Sequence, residues 1–379
     1  MRYKIICILL AIILFTAGCR LTPEAWDLTS PVDTSEPTDS MTPTPQAIPK
    51  KIGILLPDSS RYWTISALRL QQQLEENGCI ADVQYANDSW DVQASQMKNM
   101  ITNDYDVFVI AVVDEGALEE LIVQAKEKDV PVIAYARPFW GFEDVSYSVL
   151  FDTENIGIQF GKYIEERLDL KNASGPFDIE LFGGDSGVSL RYAHFHHNGL
   201  MEFLQPYFDN GKLVVCSKQI EDWETATEGF SAEEAYKRMK ELIASQNYGP
   251  EAQKTRLDAV ICLTDSIAQG VTQALLEAGY TADNFPIITG GMDSEVESVK
   301  NIIAGTQSMS FFYDPMISAD RVARMITSIL NGEEPEINCT EIYDRLIPTY
   351  LCAPVVVTRE NYREVLIDSG YYTEEELID

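Results

Sequence analysis

Positive charge is scarce in this chain: 28 Lys and Arg stand against 60 Asp and Glu, leaving a formal net charge of −32. A nucleic-acid-binding surface neutralises phosphates with Lys and Arg, so that class is excluded. The same deficit excludes docking of the folded body on anionic lipid and fits a soluble body on an exposed cell face. Histidine is scarcer still, with only His194, His196 and His197. They share one predicted helix, and no Cys, Asp or Glu joins them at a metal-ligand spacing, so they read as packing residues and no metal site is expected. The seven cysteines contain no CxxC pair. Beyond residue 19 remain Cys79, Cys216, Cys262, Cys339 and Cys352, an odd number without the pattern of a disulfide framework. Long apolar runs are lacking too, since Ile5 to Phe15 falls short of the roughly 20 residues that a membrane-spanning helix needs.

That short run has a better reading. Arg2 and Lys4 precede it, and Thr16, Ala17, Gly18 and Cys19 follow. A basic start, an apolar core and small residues at the cut make a secretory leader, here residues 1–18. A cut just before a cysteine is the bacterial lipoprotein arrangement, with Thr16 where an aliphatic residue is usual. Cys19 is therefore the expected lipidation site, holding the protein outside the cell membrane on its outer face. Residues 19–49 carry Pro at 23, 31, 37, 43, 45 and 49 with little apolar periodicity, and are expected to be a disordered tether.

From Ile52 the pattern changes to short β-branched runs alternating with amphipathic stretches. IGILL (52–56), Ile80 to Tyr85, VFVIAVV (107–113) and VPVIAYA (130–136) read as strands. Ala67 to Asn77, Val92 to Thr102 and Gly116 to Lys128 read as the helices between them. The second half repeats the scheme, with strands at 177–184, 212–216, 257–263, 286–289 and 307–312. Near-continuous apolar strands alternating with helices imply parallel sheets covered on both faces, so the fold class is α/β with two doubly wound lobes. Such sheets bind ligands beyond the carboxyl ends of their strands.

The residues at those ends are a consistent set. Asp58, Arg61, Tyr62 and Trp63 follow the first strand, Asp114 the third, Arg137 the fourth and Asp152 the run VSYSVLF. Asp185, Arg191, Tyr192, Asp265, Asp293, Tyr313 and Asp314 hold the equivalent positions in the second half. Carboxylates and guanidinium groups fix hydroxyls with charge-assisted hydrogen bonds, and Trp or Tyr covers the apolar face of a pyranose. Strand-end Asp residues also cap helices, a reading that weighs as much as ligand contact for Asp58, Asp114 and Asp185.

The segments SQMKNMI (95–101), GPFDIELFGG (175–184), LTDSIAQG (263–270), ITGGMDSEVESVKNIIAG (288–305) and PTYLCAPVVVTRENYREVLIDSGYYTEEEL (348–377) carry a resemblance. The chain from about residue 51 to 377 resembles the sugar-binding lipoproteins of ABC importers, in their xylose and multiple-monosaccharide branch. The resemblance implies a type I periplasmic-binding-protein fold of two Rossmann-like lobes joined by three hinge crossings. Lobe 1 is then expected at 50–152 plus 293–337, and lobe 2 at 153–292 plus 338–379. It implies a non-enzymatic, monomeric receptor without cofactor that closes on a monosaccharide and presents it to a permease, or reports it to a sensor kinase or chemoreceptor. The ligand-binding candidates are Arg61, Trp63, Arg137, Asp152, Arg191, Asp265, Asp293 and Tyr313. Several positions depart from the family pattern: Tyr62 separates Arg61 from Trp63, Ala136 replaces an Asp before Arg137, and Arg191 with Tyr192 replaces a paired Asn. The SxxK at Ser95–Lys98 lacks its companion motifs, and the Gly pairs at 183–184 and 290–291 match neither GxGxxG nor a P-loop.

Overall fold

The computed structural model describes residues 48–141, 144–185, 190–341 and 346–378, apart from the side chains of residues 154, 190–192 and 378. Cys19, the leader and the tether lie outside the described residues. Strand β1 (Lys51–Leu56) opens the fold and alternates strictly: Ile52, Ile54 and Leu56 enter one core, Leu55 the other. That period of two is what a strand buried on both faces requires. Gly53 is the close approach on the second face, where a Cβ would lie 2.6 Å from the Met100 sulfur.

Helix α1 (Arg61–Glu76) follows and starts earlier than its periodicity suggests. Trp63, Ala67, Leu70 and Leu74, spaced three or four apart, make its buried stripe. The sequence reading began this helix at Ala67, so Arg61 and Trp63 lie on its first turn rather than in a loop. β2 (Ile80–Tyr85), α2 (Trp90–Thr102), β3 (Val107–Ile110), α3 (Glu119–Glu127), β4 (Val132–Tyr135) and β5 (Tyr147–Phe151) complete the first pass. The chain then enters α4 (Thr153–Arg167), β6 (Phe177–Phe182), α5 (Leu190–Asp209), β7 (Leu213–Val215), α6 (Asp222–Thr225), α7 (Ala232–Ser245), β8 (Ala259–Cys262), α8 (Asp265–Glu277), β9 (Ile287–Ile288), α9 (Val296–Ala304) and β10 (Ser310–Phe312). It returns through α10 (Pro315–Asn331) and β11 (Thr349–Cys352), and ends with β12 (Val355–Val357) and α11 (Glu374–Ile378).

Two parallel sheets result. The first has six strands in the order β11-β5-β4-β3-β1-β2, and the second four in the order β7-β6-β8-β9. β10 and β12 pair antiparallel between them. Lobe 1 packs α1 and α10 on one face of its sheet and α2 and α3 on the other. Lobe 2 is built in the same way around Ile179, Leu181, Ala259 and Ile261. There α4 and α5 touch so closely that a Cβ on Gly157 would lie 2.0 Å from the His196 carbonyl oxygen.

Two of the three crossings fall later than expected. β11 pairs in parallel with β5, so residues 349–352 belong to lobe 1 and not to lobe 2. α9 buries Val299 and Ile302 against the C-terminal segment, while Met309 and Phe311 enter the lobe 2 core beside Phe160. The stretch 293–312 therefore stays in lobe 2, and α10 alone returns, with Ala319, Val322 and Ile326 against α1. The crossings lie at β5–α4, β10–α10 and β11–β12.

Candidate functional site

The carboxyl ends of both sheets deliver two kinds of predicted residue: those already engaged by the protein and those left open. Asp58 accepts from the Ser60 amide at 2.6 Å, and Asp114 from the Ala117 amide at 3.1 Å, so both close local turns. Asp152 caps α4 by accepting from the Asn155 amide at 3.1 Å, while its own amide donates to the Cys352 carbonyl at 3.4 Å. It thereby joins the first crossing to the third.

Tyr313 stands at the second crossing, stacked on Phe151 with centroids 4.3 Å apart and packed against both lobe cores. It is a hinge side chain with one face covered. Arg61 turns away from the strand ends. Its guanidinium pairs with the Glu376 carboxylate, donates to the Tyr371 carbonyl at 2.6 Å and lies 4.7 Å from the Tyr372 ring centre. The Arg191 side chain lies outside the described residues.

Asp265 is 1% exposed and its oxygens are fully used. It accepts from the Glu295 amide at 2.8 Å, the Ser310 hydroxyl at 2.9 Å and the Gln307 side chain at 3.3 Å. Burial pushes its carboxyl up to about 8. The Asp265 side chain pins the 290–295 loop to β10, and a Cβ on Gly290 would lie 2.4 Å from its oxygen.

That loop exposes Asp293. Met292 (φ 86°) and Ser294 (φ 49°) hold it on left-handed backbone from both sides. Each such residue costs on the order of 1–3 kcal/mol and persists only where the surroundings enforce it. Among the described residues the Asp293 carboxylate has no hydrogen-bond partner. It is reached by solvent, yet crowded enough by protein, and by Glu295, that its carboxyl is raised to about 7. It lies near enough to lobe 1 to add to the rise of the buried Tyr62 phenol, which desolvation dominates.

Arg137 is the counterpart in lobe 1. A γ-turn centred on Ala136 (φ 55°), closed by the Arg137 amide on the Tyr135 carbonyl at 2.6 Å, sets its direction. Its guanidinium donates to the Val112 carbonyl at 3.0 Å and lies 5.6 Å from the Trp63 ring centre. The other N–H groups have no partner among the described residues. Trp63 is buried and wedged edge-on against Tyr62 and Tyr135, so it supports Arg137 from the core. Outside Asn and Asp, the described left-handed non-glycine residues are Ala136, Lys218, Phe230, Met292 and Ser294. Three of these five adjoin Arg137 or Asp293.

Sequence reasoning missed an aromatic pair that joins the two lobes. Trp140, in the loop after β4, stacks on Phe195 of α5 with centroids 6.4 Å apart and planes 3° apart. Glu115 holds that loop by accepting from the amides of Trp140 and Gly141. The signal is present in the sequence as Pro138-Phe139-Trp140, but only Phe195 on α5 gives it meaning. His196 is buried, as a packing residue would be, whereas His194 is exposed and pairs with Asp222 and Asn198. Among the described residues no group of His, Cys, Asp and Glu could hold a metal ion.

Two parallel α/β lobes joined by three crossings define a type I periplasmic-binding-protein fold. The chain belongs to the periplasmic binding protein domain family, whose model matches residues 52–334. It is 38% identical to the multiple sugar-binding periplasmic protein SbpA of Azospirillum brasilense, over 85% of this chain and 90% of that protein. It is 35% identical to the multiple sugar-binding periplasmic receptor ChvE of Rhizobium radiobacter, over 86% of this chain and 92% of that one. An ABC transporter solute binding protein from Clostridium phytofermentans, solved with bound beta-D-glucose, is 41% identical. It superimposes with a TM-score of 0.71 over 86% of this chain and 100% of its own. The family is one of binding proteins, not enzymes.

Proposed function

We propose that this protein is the extracytoplasmic receptor of an ABC sugar importer, closing its two lobes on a glucose-like monosaccharide. Arg137 and Asp293 carry the reading. Each is held beside strained backbone, each keeps polar atoms unpaired among the described residues, and they come from opposite lobes. Arg137 donates to ring or hydroxyl oxygens, and Asp293 accepts from hydroxyl groups, both as charge-assisted hydrogen bonds. The Trp140–Phe195 pair shuts out water at the rim. Because ligand contacts in both lobes exist only when the lobes meet, binding shifts the population towards the closed form. The glucose-bound relative supports a hexopyranose as the cargo. Cys19 would hold the receptor at the membrane by lipid, with residues 20–49 as spacer, beside a permease that accepts the closed form.

A thermal-shift panel of D-glucose, D-galactose, D-xylose and myo-inositol on the full-length chain tests this. A ligand that binds only the native state must raise the melting temperature. A rise with an aldopyranose and none with the cyclitol supports the reading. No rise with any sugar refutes it. Replacement of Cys19 by Ala tests the anchor, since the variant should leave the membrane fraction.

A further inference from the structure

Arg61 sits on the first turn of α1 in lobe 1, yet its partners belong to the C-terminal segment, which packs on lobe 2. Tyr371, Tyr372 and Leu377 are buried against Val299 and Ile302 of α9 and Phe312 of β10. From that base the segment reaches in two directions. The Tyr372 hydroxyl donates to the Ser294 carbonyl at 3.1 Å, gripping the residue next to Asp293. Glu376 and the Tyr371 carbonyl take the Arg61 guanidinium, which also lies over the Tyr372 ring. Thr373 fixes Glu376 in turn, its amide donating to the carboxylate at 2.9 Å. Ile65, one turn along α1, packs against the same cluster.

We propose that residues 371–376 form a clasp that ties lobe 1, through Arg61, to the loop carrying Asp293. In this role Arg61, Tyr372 and Glu376 are positioning residues. They set the height and rigidity of the Asp293 loop and hold the lobes together without touching the ligand. The inference rests on the sugar-receptor reading for its consequence, though not for its geometry. A pair as exposed as Arg61–Glu376 adds little to global stability, so its effect should fall on lobe closure. A neighbouring pair supplies the control: Arg363 and Glu374 are bridged at 2.6 Å within the C-terminal segment itself and link nothing across the lobes.

The test compares the full-length chain with E376Q and E374Q in two measurements. Hydrogen exchange without sugar should show faster exchange in E376Q at residues 290–296 and in the first turn of α1, and no such change in E374Q. Stopped-flow release of D-glucose should be about fivefold faster in E376Q, as expected for a lost exposed ion pair, and unchanged in E374Q. Acceleration confined to residues 371–378 of E376Q, or equal effects in both variants, would overturn the clasp. If the parent chain binds no sugar, the sugar reading falls alone, because the exchange pattern still decides the clasp.

Discussion

The Arg137 guanidinium lies 5.6 Å from the centre of the Trp63 indole and donates to the Val112 carbonyl, so the ends of β3, β4 and α1 converge on one cation. A guanidinium placed over an indole and fixed by one carbonyl is pre-oriented before ligand arrives, and less rotamer entropy remains to be lost on binding. Arg137→Met should weaken sugar binding by about 10- to 100-fold, the cost of losing a charged hydrogen-bond donor. Arg137→Lys should not restore it, because a compact ammonium cannot reproduce the planar fork that donates to the Val112 carbonyl and to a ligand together. Calorimetric titration of both variants checks this, and a lysine variant at parental affinity would contradict it.

Asp293 makes affinity depend on pH. Its carboxyl is raised to about 7, and a carboxylate accepting from a sugar hydroxyl must be ionised to serve. Below that value the ionised fraction falls, so the dissociation constant should rise about tenfold for each pH unit removed. Titrations at pH 5, 6, 7 and 8 should show this slope in the parent and a flat profile in Asp293→Asn. Parallel profiles would show that Asp293 does not accept from the ligand.

Asp265 should appear in stability instead. Its folded value is about 8, above the ordinary carboxylate range of the unfolded chain, so the folded state binds the extra proton. Its contribution is fully present below the unfolded value of about 4 and is lost as pH rises towards 8, by up to about 1.4 kcal/mol per unit. Asp265→Asn keeps an oxygen for Ser310 and the Glu295 amide, and should remove this decline. Urea midpoints of both proteins between pH 5 and 9 provide the comparison, and equal slopes would contradict it.

Gly157→Ala should destabilise lobe 2. The new methyl would lie 2.0 Å from the His196 carbonyl oxygen, and forcing α4 from α5 costs about 1–3 kcal/mol as overpacking. The denaturant midpoint should fall, and an unchanged midpoint would contradict the close approach of α4 and α5.

The sheets were legible because buried parallel strands are written as runs such as IGILL and VFVI, whose alternation also names the two cores. Two of the three crossings were not. β11 reads like any short apolar strand, and its membership of lobe 1 depends on pairing with β5, some two hundred residues away, which no local pattern encodes. The candidate site was half legible for a similar reason. Arg137 and Asp293 were picked out as candidates because both follow a strand. Arg61 was found by the same rule, but its partners are in the last residues of the chain. Asp265 also matched, and only the fold brings Ser310 and Gln307 round to occupy its oxygens. Trp140 escaped because it gains meaning only from Phe195 on the other lobe.

The central claim is that an aldopyranose is held between Arg137 and Asp293. Calorimetric titration of the full-length chain with D-glucose, alongside the Arg137→Met, Asp293→Asn double variant, tests it most directly. The account predicts saturable one-to-one binding by the parent and none by the double variant, with both proteins folded to the same melting temperature in the absence of sugar. Undiminished binding by the double variant, or no heat from the parent with any monosaccharide, would contradict it.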